Sequence, residues 1–170
     1  DNPSSAPSLR DEECGLSSEC MGDMRRALSI PWSMSVLTVQ WILTYLTAGI
    51  NRSFAELMHG RKGKSGEPYL SKATVFISHS TTSTLLDHVE AVQGFEQQTG
   101  QKVSSFSALF SINQSTAHSW IEKFPTIIRG IPRVLVVARQ TFFTAINTRC
   151  TFALPELTEA ALFVSDAAHE

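Results

Sequence analysis

The sequence predicts an α/β fold: a parallel sheet of the doubly wound kind, preceded by an N-terminal helical lead-in. Two observations carry this. Lys72 to Ser80 (Lys-Ala-Thr-Val-Phe-Ile-Ser-His-Ser) is an apolar run rich in β-branched and aromatic residues that ends in small polar ones. Such a run suits a strand buried on both faces. A helix-like stretch follows after a short polar turn, and a second buried-strand run, Arg133 to Ala138, lies downstream. Strands alternating with helices imply parallel pairing through right-handed crossovers, and such sheets bind ligands at the carboxyl ends of their strands. Ser78, His79 and Ser80 fall at that end and are candidate binding residues.

Length and composition fit this class. The 170 residues suit one domain plus a tail. An apolar share of 42% supplies a core, and a net charge of −2 with a pI near 6.2 argues against a nucleic-acid surface. The three cysteines, Cys14, Cys20 and Cys150, have no metal-ligand spacing, and an odd count fits a reducing, cytoplasmic setting. The chain opens on Asp1 and reads as a piece of a longer protein. No residue between Arg26 and Arg52 is charged. A membrane span needs about 20 predominantly apolar residues. Pro31, Gln40, Gly49 and several hydroxyl residues interrupt this stretch, so residues 27–51 read as a buried or partner-facing helix rather than a span.

Taken in order, residues 1–33 read as a disordered tail, with Cys14 and Cys20 as exposed thiols, because the first two dozen residues are rich in Ser, Pro, Asp and Glu. Residues 34–71 form the helical lead-in, with a helix over 35–45 ending at Thr47-Ala48-Gly49. Ser53 caps a second short helix, and Glu56 completes a capping box. Residues 60–68 are a basic, glycine-rich loop. Its Gly63-Lys64-Ser65 lacks the earlier glycine of a phosphate-binding loop, and no strand feeds it, so it reads as solvated.

Residues 72–170 carry the sheet. Ser83 or Thr84 caps a helix to about Gln98, with Leu85, Leu86, Val89, Val92 and Phe95 at helical spacing and Gly100 as its stop. Val103 to Ile112 reads as a strand, followed by the polar loop Asn113-Gln114-Ser115-Thr116. Trp120 to Arg129 is helical in pattern despite Pro125. A further helix covers 148–161, broken at Pro155, and Leu162 to Ser165 begins another strand. Three or four strands are visible where a complete flavodoxin-like sheet has five, so the last strand is missing or short and an edge is open or covered by another element.

These blocks, in this order, resemble the Toll/interleukin-receptor homology (TIR) domain. The resemblance is to the type whose first strand reads A-x-x-F-V-S-H-A-W, here Ala73 to Thr81. A D-x-F-S-x-N-Q block is matched by Ala108 to Gln114. A tryptophan and a T-F-x-x-A-I helix are matched by Trp120 and Phe124 to Ile128, and an apolar strand by Arg133 to Ala138. A T-R-A-W-C-L-W-E-L block is similar to Thr148-Arg149 and Phe152 to Leu157 with one residue inserted. The resemblance covers residues 36–165.

It implies one of two functions. TIR domains either assemble with other TIR domains as signalling scaffolds or cleave NAD at the nicotinamide–ribose bond. In the second case the family's glutamate falls on Glu156, with Ser78, His79 and Ser80 lining the ribose and phosphate. A fixed carboxylate there stabilises or traps the positive charge that develops on the ribose. In the first case Asn113 and Gln114 lie on a contact loop, and the partners are other TIR-like domains or a second copy, with neither nucleic acid nor membrane. The departures favour the scaffold: Thr81, Ala108, Phe152-Ala153 and Gln140 to Thr144 stand where the family has tryptophan, aspartate, Trp-Cys and a proline-rich loop. No cofactor is expected on this reading, and NAD is the substrate on the other. Glu156 just after Pro155 also suits the first turn of any helix. His79 at a strand end either holds a neighbouring backbone carbonyl or titrates near neutrality in a chemical role.

Overall fold

The computed structural model describes residues 14–80, 82–111, 117–138 and 160–164. In chain order these form β1 (Cys14–Leu16), α1 (Ser18–Ala27), α2 (Val36–Thr47), α3 (Phe54–Leu57), β2 (Leu70–Lys72) and β3 (Val75–His79). There follow α4 (Leu85–Thr99), β4 (Ser105–Phe106), α5 (Ala108–Ser111), α6 (Ala117–Gly130), β5 (Val134–Ala138) and β6 (Ala160–Val164). The chain is an α/β protein with a mixed, open six-stranded sheet in the order β2-β1-β4-β3-β5-β6. β4, β3, β5 and β6 pair in parallel, and β1 pairs antiparallel with both β2 and β4.

β3 sits inside the sheet and alternates strictly. Val75 and Ile77 join Leu135 and Val137 of β5 in a core with α1, α2 and α4. Phe76 faces the other way, stacks on Phe106 with ring centroids 6.0 Å apart, and packs with Val134 and with Ile127 of α6. Helices therefore cover both faces, which is why the strand reads as continuously apolar.

The caps formed where the sequence placed them. The Thr84 hydroxyl accepts the Asp87 amide, and Asp87 accepts the Thr84 amide in return. Gly100 ends α4 at φ 67°, a left-handed conformation that glycine adopts without strain. Ser53 and Glu56 form the same reciprocal box at α3.

Three expectations are corrected. The tail expected over residues 1–33 is ordered from Cys14 onward; residues 1–13 lie outside the described residues. β1 extends the sheet, and α1 buries Cys20, Met21 and Met24 in the main core. The Ser105 hydroxyl donates to the Leu16 carbonyl (3.0 Å), and a Cβ at Gly15 would come within 2.7 Å of the Ser104 backbone, so only glycine fits. The buried Glu96 carboxylate then ties the segment down, accepting from the Ser18 hydroxyl (3.1 Å), the Val103 amide (3.1 Å) and Lys102 (3.2 Å). A charge so enclosed is tolerated because its oxygens are bonded and an ammonium is near. Cys14 and Cys20 are accordingly buried, not exposed thiols.

Second, the strand expected over 103–112 shrinks to Ser105–Phe106. Ser107 stops it: its hydroxyl accepts the Leu109 amide (3.3 Å) and its carbonyl accepts the Phe110 amide (3.1 Å), which turns the chain into α5. Third, Ala160 and Ala161 belong to β6 rather than to a helix, and the rest of the helix expected over 148–161 lies outside the described residues. Among the described residues the edge foreseen beside the last strand is β6, which has no further neighbour, while at the opposite end β1 and β2 extend the sheet past β4.

If α1 is integral to the core, Met21→Ala should cost about 2–4 kcal/mol in urea unfolding. A loss below about 0.5 kcal/mol, the size of an ordinary surface substitution, would contradict this packing.

Candidate functional site

At the carboxyl end of β3, His79 continues the face of Val75 and Ile77 and turns toward α4 and β4. Its Nδ1 lies 3.2 Å from the Ser80 carbonyl oxygen, and its Nε2 lies 3.4 Å from Ser107 Oγ. A carbonyl can only accept, so Nδ1 carries the proton and Nε2 accepts from the serine. This is the tautomer that would activate a serine nucleophile. Ser107, however, is only 1% exposed and already accepts the Leu109 amide. The pair therefore fastens β3 to β4. The loop-holding contact expected for His79 is present.

Behind it lies His88 of α4, fully buried, with its ring centroid 5.2 Å from that of His79 and 5.9 Å from Phe110. Neither ring nitrogen of His88 has a hydrogen-bond partner among the described residues. Burial pulls the His79 pKa below its ordinary value, partly offset by the Ser80 carbonyl. Burial pulls His88 well below, and the neighbouring His79 adds to this. Both rings stay neutral at neutral pH.

The other predicted residues at this end are turn-builders or unremarkable in contact. Ser80 Oγ accepts the Thr82 amide (3.2 Å) and its carbonyl accepts the Ser83 amide (3.0 Å). Ser78 is half-buried opposite Val136. Glu156, Asn113 and Gln114 lie outside the described residues.

The start of α4 decides what the strand ends can bind. After the first strand of a doubly wound unit, the opening helix amides are where an anion usually sits. Here Leu85 N–H donates to the Met34 carbonyl (3.0 Å) and Leu86 N–H to the Trp32 carbonyl (3.2 Å). Asp87 N–H donates to the Thr84 hydroxyl (3.2 Å). The lead-in backbone and the cap thus occupy all three donors. The Val36 amide returns the contact by donating to the Ser83 carbonyl (2.8 Å).

The basic loop is likewise filled from within. The Glu19 carboxylate accepts the Ser65 amide (3.2 Å) and the Ser65 hydroxyl, and these bonds hold Glu19 below the usual carboxylate range. A carboxylate of the chain itself takes the place an anion would need, which agrees with the solvated-loop reading.

A cavity of about 350 Å³ opens between α1, α2, α3 and the loop before β2. Its wall is mostly apolar, including Met24, Leu43, Phe54 and Met58, with Asp23 and Tyr69 on its polar side. Tyr69 donates to Asp23, which lowers the Asp23 pKa and pushes Tyr69 up to about 12. Cys20 also lines it, but burial pushes its thiol up to about 12, so it carries no thiolate near neutral pH.

Among the described residues no group of three or more His, Cys, Asp and Glu could hold a metal, and no helix is long and apolar enough to cross a membrane. Comparison with protein-family models, curated proteins and solved structures finds no match to the chain. Ser107 and His88 were missed by sequence reasoning. The only signal was a serine following the short apolar segment that became β4, and a histidine on the apolar side of a helical pattern.

The fully buried His88 and the half-buried His79 fix a pH response. The unfolded chain takes up their protons near pH 6.5, whereas the folded chain does so only lower. Between those values the unfolded state binds more protons, so stability falls as pH drops below about 6.5, by up to about 1.4 kcal/mol per pH unit for each histidine. Urea unfolding between pH 5.5 and 7.5 should show this slope, and His88→Leu should reduce it while leaving stability at pH 7.5 equal or higher. An unchanged slope in the variant would contradict the assignment.

Proposed function

We propose that this chain is a TIR-like domain on a flavodoxin-like sheet that acts as a protein-interaction or signalling scaffold in the cytoplasm, not as an enzyme. Its contacts are with other TIR-like domains or with a second copy of itself. Numbered along the chain, the parallel strands among the described residues lie in the order 2-1-3-4, which is the flavodoxin-like order over its first four strands and supports the sheet type. The observation that carries the functional reading is the closed start of α4. Leu85 and Leu86 donate to Met34 and Trp32, so the phosphates of a dinucleotide would have to displace the chain's own backbone there. His79 and Ser107 are engaged with each other rather than turned outward.

The competing reading is NAD cleavage, with Glu156 stabilising the ribosyl cation and Ser78, His79 and Ser80 lining the nucleotide. It needs donors for two phosphates at a place where those amides are taken.

Incubating the purified chain with NAD and following nicotinamide release separates the two. The expected result is no release above the rate without protein. Release that disappears in Glu156→Gln would overturn the scaffold reading and establish the enzyme.

A further inference from the structure

The surface of α2 is unlike the rest of the described molecule. The large hydrophobic side chains that stand exposed are Leu28, Leu37, Trp41, Tyr45, Leu46 and Ile50, and all but Leu28 lie on α2 or the short turn that follows it. Trp41 is 70% and Tyr45 81% exposed. The buried stripe of the helix is Val36, Val39, Leu43 and Thr47. Leu37, Trp41 and Tyr45 recur every fourth residue on a different side, so they form one ridge. A helix apolar on all sides is ordinarily buried on all sides. This one is buried on one side only.

We propose that this ridge is covered by the same ridge of a second copy, with the two α2 helices antiparallel about a two-fold axis level with Leu43. Three features choose this occupant. First, no residue from 27 to 51 is charged. An acidic or basic partner would find no complementary charge on the helix, and a helix that lies on an anionic membrane carries Lys or Arg along its flanks. A face without charge is complementary to itself and meets no repulsion in an isologous contact.

Second, large and small residues alternate in the right register. The axis sets Trp41 against Tyr45 of the second copy and Leu37 against Gly49 of the second copy. A side chain placed at Gly49 would meet nothing within 4 Å, so there is room for the leucine. Third, Trp41 and Tyr45, 70% and 81% exposed, stand at the centre of this contact. The central aromatics are the residue types that dominate such interfaces.

This deepens the interaction reading by naming its surface and partner. The test is the mass of the full chain in solution at micromolar concentration, by light scattering or sedimentation. The wild type is expected to be a dimer. Trp41→Glu and Tyr45→Lys, both at exposed positions that should leave the circular dichroism unchanged, should each raise the dimer dissociation constant by about thirtyfold or more. Mixing the two variants should restore a heterodimer, because the antiparallel register sets the introduced carboxylate against the introduced ammonium. A wild type that stays monomeric overturns the proposal, whether or not it binds anionic vesicles. A dimer that survives both substitutions overturns this surface while leaving self-association intact. Two monomeric variants that fail to re-pair overturn the antiparallel register. NAD cleavage would overturn the scaffold reading without bearing on this surface.

Discussion

The carbonyls of Trp32 and Met34 accept the first two amide protons of α4, and that contact joins the lead-in to the sheet. Helix N-termini leave amide donors that must find partners. In a doubly wound domain the first helix after the first strand often leaves them for a ligand. Here the chain satisfies them itself. Trp32 is held in turn by the Arg25 guanidinium 4.3 Å above its ring, so α1 braces the crossing segment. Because the crossing fixes where α2 begins, it also fixes which stripe of α2 meets the core and which faces outward. The closed strand end and the open helix face are two results of one arrangement.

The energetics of the strand end agree with a structural role. His88 is wholly buried, and its ring nitrogens have no hydrogen-bond partner among the described residues. Its ring still fills space against His79 and Phe110. The tautomer-fixed His79–Ser107 pair, half-buried at His79 and buried at Ser107, resembles catalytic machinery only in its hydrogen bonding. It lacks the access that a nucleophile needs. By contrast, Trp41 and Tyr45 are accessible aromatic side chains within a stretch, 27–51, that carries no charged residue, which suits an interface anchor.

Much of the fold was legible. β3 and β5 announced themselves because burial on both faces leaves no room for polar residues in the run. α4 was legible because Thr84, Asp87 and Gly100 are cap residues whose chemistry is local. What escaped had non-local causes. β1 is three residues long, too short for any period, and its pairing depends on Gly15 approaching the Ser104 backbone. α1 buries Cys20, Met21 and Met24 within an otherwise polar composition, and its anchor, Glu96, lies far along the chain. At the site, Ser78, His79 and Ser80 could be read as a strand end. Their partners Ser107 and His88 come from other elements, and the carbonyls that close α4 belong to residues whose side chains gave no hint of it.

The account rests on the start of α4 being occupied by the chain's own backbone. Hydrogen exchange at the Leu85 and Leu86 amides, with and without millimolar NAD, tests this directly. Both amides are expected to be protected in the free chain and unchanged by NAD. Fast exchange in the free chain that becomes slow when NAD is added would contradict it, because the donors would then have been waiting for a ligand.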